Sequence, residues 1–117
     1  MINALLVKLE QWGCDIRESM DRMMNDEAFY IHLLKEFSSD DSIEILHKAL
    51  ETSDYDTAFE TVHKLKGTTS TLGLTPLYVD AELLIRDLTP RPPLRDTELH
   101  FSHLKKHYQE CSSIILE

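Results

Sequence analysis

Glycine and proline are scarce, three and four among 117 residues, so little in the chain breaks helices or supplies the tight turns that a sheet of short strands needs. Leu, Glu, Lys, Met and Ala are plentiful instead, and the expectation is an all-α protein. Only two cysteines occur, Cys14 and Cys111, too few and too far apart for a disulfide framework or a zinc knuckle. They read as ordinary thiols. Basic residues are outnumbered, 12 Lys and Arg against 21 Asp and Glu, for a formal charge of -9. A nucleic-acid binder must bring a net basic surface to the phosphate backbone, so nucleic acid is excluded and another protein is the expected partner. No apolar run approaches the roughly 18 residues that a membrane span needs. The opening MINALLVKLEQW carries charges within its first three turns, which predicts no membrane association and a cytoplasmic protein. Gly-rich loops and acidic nucleotide-binding motifs are also missing, which excludes a complete kinase for this chain. Its length and 42% hydrophobic content predict one domain over residues 1–117 with one continuous core.

Apolar spacing and punctuation then divide the chain. Leu5, Leu6 and Leu9 predict a short helix from Ile2 to about Trp12, stopped by Gly13. Asp15 followed by Glu18 has the form of a capping box, opening a second short helix with Ile16, Met20 and Met23 and closed by Asn25. Met20, Met23 and Met24 read as core filling. Asp26 can cap a helix whose stripe of Phe29, Tyr30, Leu33, Leu34 and Phe37 resumes at Ile45, Leu46, Ala49 and Leu50. Because no Gly or Pro interrupts it, one long helix to about Glu51 is expected, with Asp40 and Asp41 on a solvated bend. Ser53 and Asp54 reopen a helix through Leu72, ended by Gly73. Thr75 is the predicted cap of the next, with Pro76 at its first position and an end near Leu88. After the stiff stretch TPRPP from Thr89, Phe101, Leu104, Tyr108, Cys111 and Ile115 form the seam of a last helix by their 3,4,3,4 spacing. The sum is an antiparallel four-helix bundle with two short leading N-terminal helices.

The segment from Ala58 to Leu74, AFETVHKLKGTTSTLGL, departs from a plain helical pattern. At 100 degrees per residue, Ala58, Val62, Leu65, Thr69 and Leu72 cluster within roughly 40 degrees and define a core face. His63 lies about 140 degrees away, with Lys66, Gly67 and Ser70 around it, so its imidazole is expected at the surface. Gly67 to Thr71 are five consecutive poor helix formers, together costing on the order of 3 kcal/mol. Small residues one turn beyond an exposed histidine leave a shallow, open surface through which another protein's active site can reach the ring. An unperturbed imidazole titrates at about pH 6.5, so a neutral nucleophilic nitrogen is available at cellular pH. Lys66, at i+3, can offset charge on a phosphoryl group. Nucleophile, cation and clearance thus share one helix face.

His63-Lys64-Leu65-Lys66-Gly67 followed by Leu72-Gly73-Leu74 resembles the signature of histidine phosphotransfer (HPt) domains. The likeness extends upstream through Gly13-Cys14-Asp15-Ile16 and from Asp26 through Phe29-Tyr30 and Leu33-Leu34 to Phe37, covering roughly residues 5 to 88. The resemblance implies a helical bundle acting as a stoichiometric phosphocarrier without catalytic turnover. In it His63 is the phosphoacceptor, Lys66 stabilises phosphoryl charge, and Gly67, Lys64 and Ser70 serve partner docking. It implies as partners a response-regulator receiver domain, which brings its own Mg2+ and phospho-accepting Asp, and a hybrid histidine kinase. No cofactor is expected in this chain, and a monomer is the simplest state. Some members place a Gln on the neighbouring helix near the imidazole. The aligned position here is Ile85, with Arg86 and Glu82 as polar neighbours.

Other features read more plainly. His100, His103 and His107 have a spacing that could ligate a metal, but they border the apolar seam and the sequence places no carboxylate or thiol partner, so no metal is expected. His32 and His47 carry no pattern. Two further readings stay open at this point: a helical adaptor that binds a receiver or kinase domain without phosphotransfer, and the phosphoacceptor domain of a histidine kinase.

Overall fold

The computed structural model describes residues 3–117 and is all-helical. Seven helices follow one another: α1 (Ala4–Trp12), α2 (Ile16–Arg22), α3 (Glu27–Ser38), α4 (Ser42–Glu51), α5 (Tyr55–Leu72), α6 (Thr75–Leu88) and α7 (Thr97–Ile115). Helix α5 packs between α4 and α6, and α7 closes the bundle against α6, α3 and α1. Ile2, expected in the first helix, lies outside the described residues. Helix α1 opens at Ala4, where the Asn3 side chain accepts from the backbone N–H groups of Leu5 and Leu6 at 2.9 and 3.3 Å. Asp26 and Asp54 cap α3 and α5 by accepting from Phe29 and Thr57. One core runs through all seven helices, from Leu6 and Leu9 to Leu104 and Ile115. Cys14 and Cys111 are free and buried in it, and burial pushes both thiols up to about 12.

Four expectations need correction. The long third helix is two helices, because Ser39 to Asp41 interrupt it without Gly or Pro. Short polar side chains compete with the helical ladder for backbone groups, and here the Asp40 carboxylate takes the Ser42 N–H at 2.7 Å. The Tyr108 hydroxyl reaches the carbonyls of Phe37 and Asp40 at 2.7 and 3.1 Å. Only half of the capping box at α2 forms: Asp15 accepts from the Glu18 N–H at 3.3 Å, while the Asp15 N–H goes to the Gly73 carbonyl at 2.8 Å. Thr75 does not cap α6; it lies in the helix, with Leu74 at the cap, and its hydroxyl points back to the Gly73 carbonyl. Met20 is buried and Met23 partly so, but Met24, on the turn that follows α2, is 89% exposed and fills no core.

The end of α5 is fixed with particular completeness. A helix leaves its last carbonyls without partners, and here each has one from outside the helix. Arg22 Nη2 donates to Ser70 O at 3.2 Å, Ser19 Oγ to Thr71 O at 3.1 Å and Tyr30 Oη to Leu72 O at 2.6 Å, while the Asp15 N–H serves Gly73 O. Gly73 makes this contact possible. Its φ of +71° lies in the left-handed region, and a Cβ there would meet Asp15 O at 2.3 Å and Ser19 Oγ at 2.5 Å.

Helices α6 and α7 are joined by two polar rungs. Asp80 and Asp87, 5% and 2% exposed, accept from His107 Nδ1 at 2.6 Å and from His100 Nδ1, respectively. Burial raises the Asp80 carboxyl above its ordinary value, and the His107 hydrogen bond offsets this only in part.

Two predictions follow from these contacts. Gly73→Ala combines left-handed strain with overpacking and is expected to lower unfolding stability by about 2 to 5 kcal/mol, read as a lower urea midpoint. Asp80→Asn keeps an acceptor for His107 and removes the charge. A carboxyl whose folded pKa is raised contributes stability that is complete at low pH and lost as pH rises through that pKa. The melting temperature of the variant minus that of the native chain should therefore increase as pH climbs from below about 4, the ordinary carboxyl range. A difference that shrinks over this interval would mean that attraction to His107 outweighs burial.

Candidate functional site

Helix α5 carries the site because its two faces differ. Ala58, Val62, Leu65, Thr69 and Leu72 are its buried residues, so the inward stripe is the one that helical periodicity predicts. The poor helix formers are accommodated within the ladder, with Thr69 Oγ1 donating to the Leu65 carbonyl at 2.8 Å. His63 projects from the opposite side and is exposed. Phe59, one turn earlier, stacks on the imidazole with ring centroids 6.2 Å apart and planes 22° from parallel.

A shallow depression of about 250 Å³ lies beside the ring, lined by His63, Lys66, Gly67, Ser70 and Tyr78. Four of the five come from α5, and Tyr78 comes from α6. A Cβ built on Gly67 would meet nothing within 4 Å, so close helix packing does not require this glycine. The five proposed site residues divide between two surfaces. Lys66, Gly67 and Ser70 surround His63, whereas Lys64 faces a second, larger groove of about 600 Å³ with Gly67, Thr68, Thr71 and Leu72 of α5 and with Leu33, Glu36, Phe37 and Asp40 of the α3 end. Gly67 belongs to both. Ile85 packs partly buried against the core, Glu82 and Arg86 are exposed, and none of the three lines the depression. The side chain from the neighbouring helix is Tyr78, which sequence patterning does not single out; its place depends on how α6 pairs with α5.

Electrostatics also sets His63 apart. Of the six histidines, His32 and His47 pair with Glu36 and Glu51 at 2.8 and 3.4 Å, His107 with Asp80 at 2.6 Å, and His100 with Asp87. Among the described residues no carboxylate pairs with His63, Lys64 or Lys66, and none lines the depression. In a chain with 21 acidic residues this leaves the depression itself free of carboxylates, with Glu60 exposed one turn before His63 and Glu36 and Asp40 in the neighbouring groove. An exposed imidazole, a lysine one turn on and open space over the glycine allow attack on an electrophile held by another protein. Among the described residues, no group of three or more His, Cys, Asp or Glu side chains is close enough to hold a metal ion. His100 and His107 are engaged by their aspartates, a pairing that the sequence did not reveal because the partners lie 13 and 27 residues away.

Comparison with known proteins gives one match. The family model of the Hpt domain covers residues 32–113, more than two thirds of the chain, and includes the whole of α5, α6 and the intervening Gly73 turn. Searches among curated proteins and among solved structures found no match. No helix among the described residues is long and apolar enough to cross a membrane. On the family match, with the all-helical fold that accompanies it, the chain belongs to the Hpt domain family, whose members are phosphocarriers in histidine phosphorelays and interact with receiver and kinase domains.

Proposed function

We propose that this chain accepts a phosphoryl group on His63 from the phospho-aspartate of a receiver domain, or from a histidine kinase, and passes it to a second receiver. The observation that carries this reading is the environment of His63: exposed, free of any carboxylate partner and set beside Lys66 and an unobstructed Gly67. A ring nitrogen of neutral His63 attacks phosphorus as the bond to the aspartyl oxygen breaks, and the carboxylate leaves with its electron pair. Mg2+ belongs to the receiver, where it neutralises the phosphoryl oxygens; this chain supplies nucleophile, adjacent cation and fit. Reversal of the same step on a second receiver completes the relay. Gly67, Ser70 and Lys64 line surfaces on either side of the nucleophile and are the proposed contact residues for the receiver.

The direct test is label transfer from a panel of phosphorylated receiver domains. Lys66→Ala should slow transfer or shorten the phosphohistidine lifetime on the order of tenfold, because a charge-assisted contact is lost, while the melting temperature stays nearly unchanged. Unchanged kinetics and lifetime would reduce Lys66 to a surface lysine. Gly67→Gln separates docking from packing. With open space above the glycine, the substitution should leave the fold as stable or add up to about 1 kcal/mol, since glycine is a poor helix former. Transfer from a receiver should fall about a hundredfold if the side chain displaces the partner by about 1 Å. Phosphorylation by phosphoramidate, which needs no docking, should be affected far less. Equal impairment with both donors would contradict a docking role.

A further inference from the structure

Three of the four tyrosine hydroxyls are committed within the molecule: Tyr30 to Leu72 O at 2.6 Å, Tyr55 to Ser53 Oγ at 3.3 Å, and Tyr108 to Phe37 O and Asp40 O at 2.7 and 3.1 Å. Tyr78 is the exception among the described residues, with no intramolecular partner for its hydroxyl. It is also the one residue from outside α5 that lines the depression beside His63. The phenol is held by its place on α6, whose neighbours Leu77, Ala81 and Leu84 are buried, so the ring stands on a fixed helix and not on a loop. Tyr78 further borders the adjoining cleft with Arg22 and Ser70, which puts its ring along the seam between α5 and α6.

We propose that the Tyr78 hydroxyl donates a hydrogen bond to a phosphoryl oxygen carried on His63, acting with Lys66, which lines the same depression. A phenol is a donor that carries no charge, so it can contact a phosphoryl oxygen without adding to the field that Lys66 provides. No carboxylate lines this depression, and the hydroxyl makes no hydrogen bond to Asp15 or Glu18 of the adjoining cleft. The arrangement makes Tyr78 a positioning residue for the adduct, and it rests on His63 being the phosphoacceptor.

The second ionisation of the phosphoryl group reports such a contact, because a donor favours the dianion and lowers its pKa. The native chain, Tyr78→Phe, Tyr78→Ala and the control Tyr55→Phe are phosphorylated with phosphoramidate, and the 31P resonance of the phosphohistidine is followed against pH. Tyr78→Phe, which keeps the ring, should raise the titration midpoint by about half a unit or more, roughly a threefold change in the protonation constant. Tyr78→Ala should raise it similarly, and Tyr55→Phe should leave it at the native value. A native midpoint in Tyr78→Phe would overturn the assignment whether or not Tyr78→Ala differs, since only the ring would then matter. If no phosphohistidine forms at His63 in the native chain, the carrier function itself fails and the Tyr78 role with it.

Discussion

Beyond Gly73 the chain turns into α6, so the last carbonyls of α5 have no further turn of their own helix to pair with. Leaving the buried Leu72 carbonyl unpaired would cost about 1 to 3 kcal/mol, and Tyr30 of α3 supplies its donor, while Ser19 and Arg22 of α2 reach Thr71 O and Ser70 O and the Asp15 N–H reaches Gly73 O beside the local Thr75 N–H. This anchorage ties α2 and α3 to the helix that bears His63. It fixes the rotation of α5 at one end, while the Ala58 to Leu72 stripe fixes it along its length. With rotation and register set, His63, Lys66, Gly67 and Ser70 have one orientation available to them, toward solvent. The same anchorage brings α6 back along α5 so that Tyr78 meets the depression.

The surface chemistry answers a conflict between global and local charge. A chain of formal charge -9 repels phosphoryl groups and the acidic pocket of a receiver alike. Around His63 that charge is partly offset: Lys66 stands in the depression and Lys64 faces the neighbouring groove, and although Glu60 is exposed one turn before His63, no acidic side chain lines the depression itself, while Asp56 is directed to Arg91 at 2.8 Å and Asp54 to the cap of α5. Four other histidines demonstrate the alternative, each beside an acid. Such a partner at His63 would favour the protonated ring and place negative charge where an anion must approach.

Much of this was legible in the sequence where a single helix decides it. The two faces of α5, the stops at Gly13 and Gly73, the caps at Asp26 and Asp54 and the seam of α7 all depend on residues within a turn or two, and periodicity or local hydrogen bonding is enough to specify them. The break between α3 and α4 was missed because it is held partly by Tyr108, 71 residues from the Phe37 carbonyl it binds. The Asp80 and Asp87 rungs and the position of Tyr78 were hidden for the same reason: each is set by how α6 sits against another helix, and spacing along one helix does not encode that register. For the proposed site, sequence indicated the residues of α5 but not their division, with Lys64 on one side of Gly67 and His63 on the other.

The central claim, that His63 alone carries the phosphoryl group, is tested most directly by mapping phosphate to individual residues after reaction with phosphoramidate. The account predicts an acid-labile, base-stable adduct on His63, and none in His63→Gln, whose circular dichroism spectrum matches that of the native chain. Phosphate mapped to His103, the other histidine without a carboxylate partner, or label that persists in His63→Gln, would contradict it.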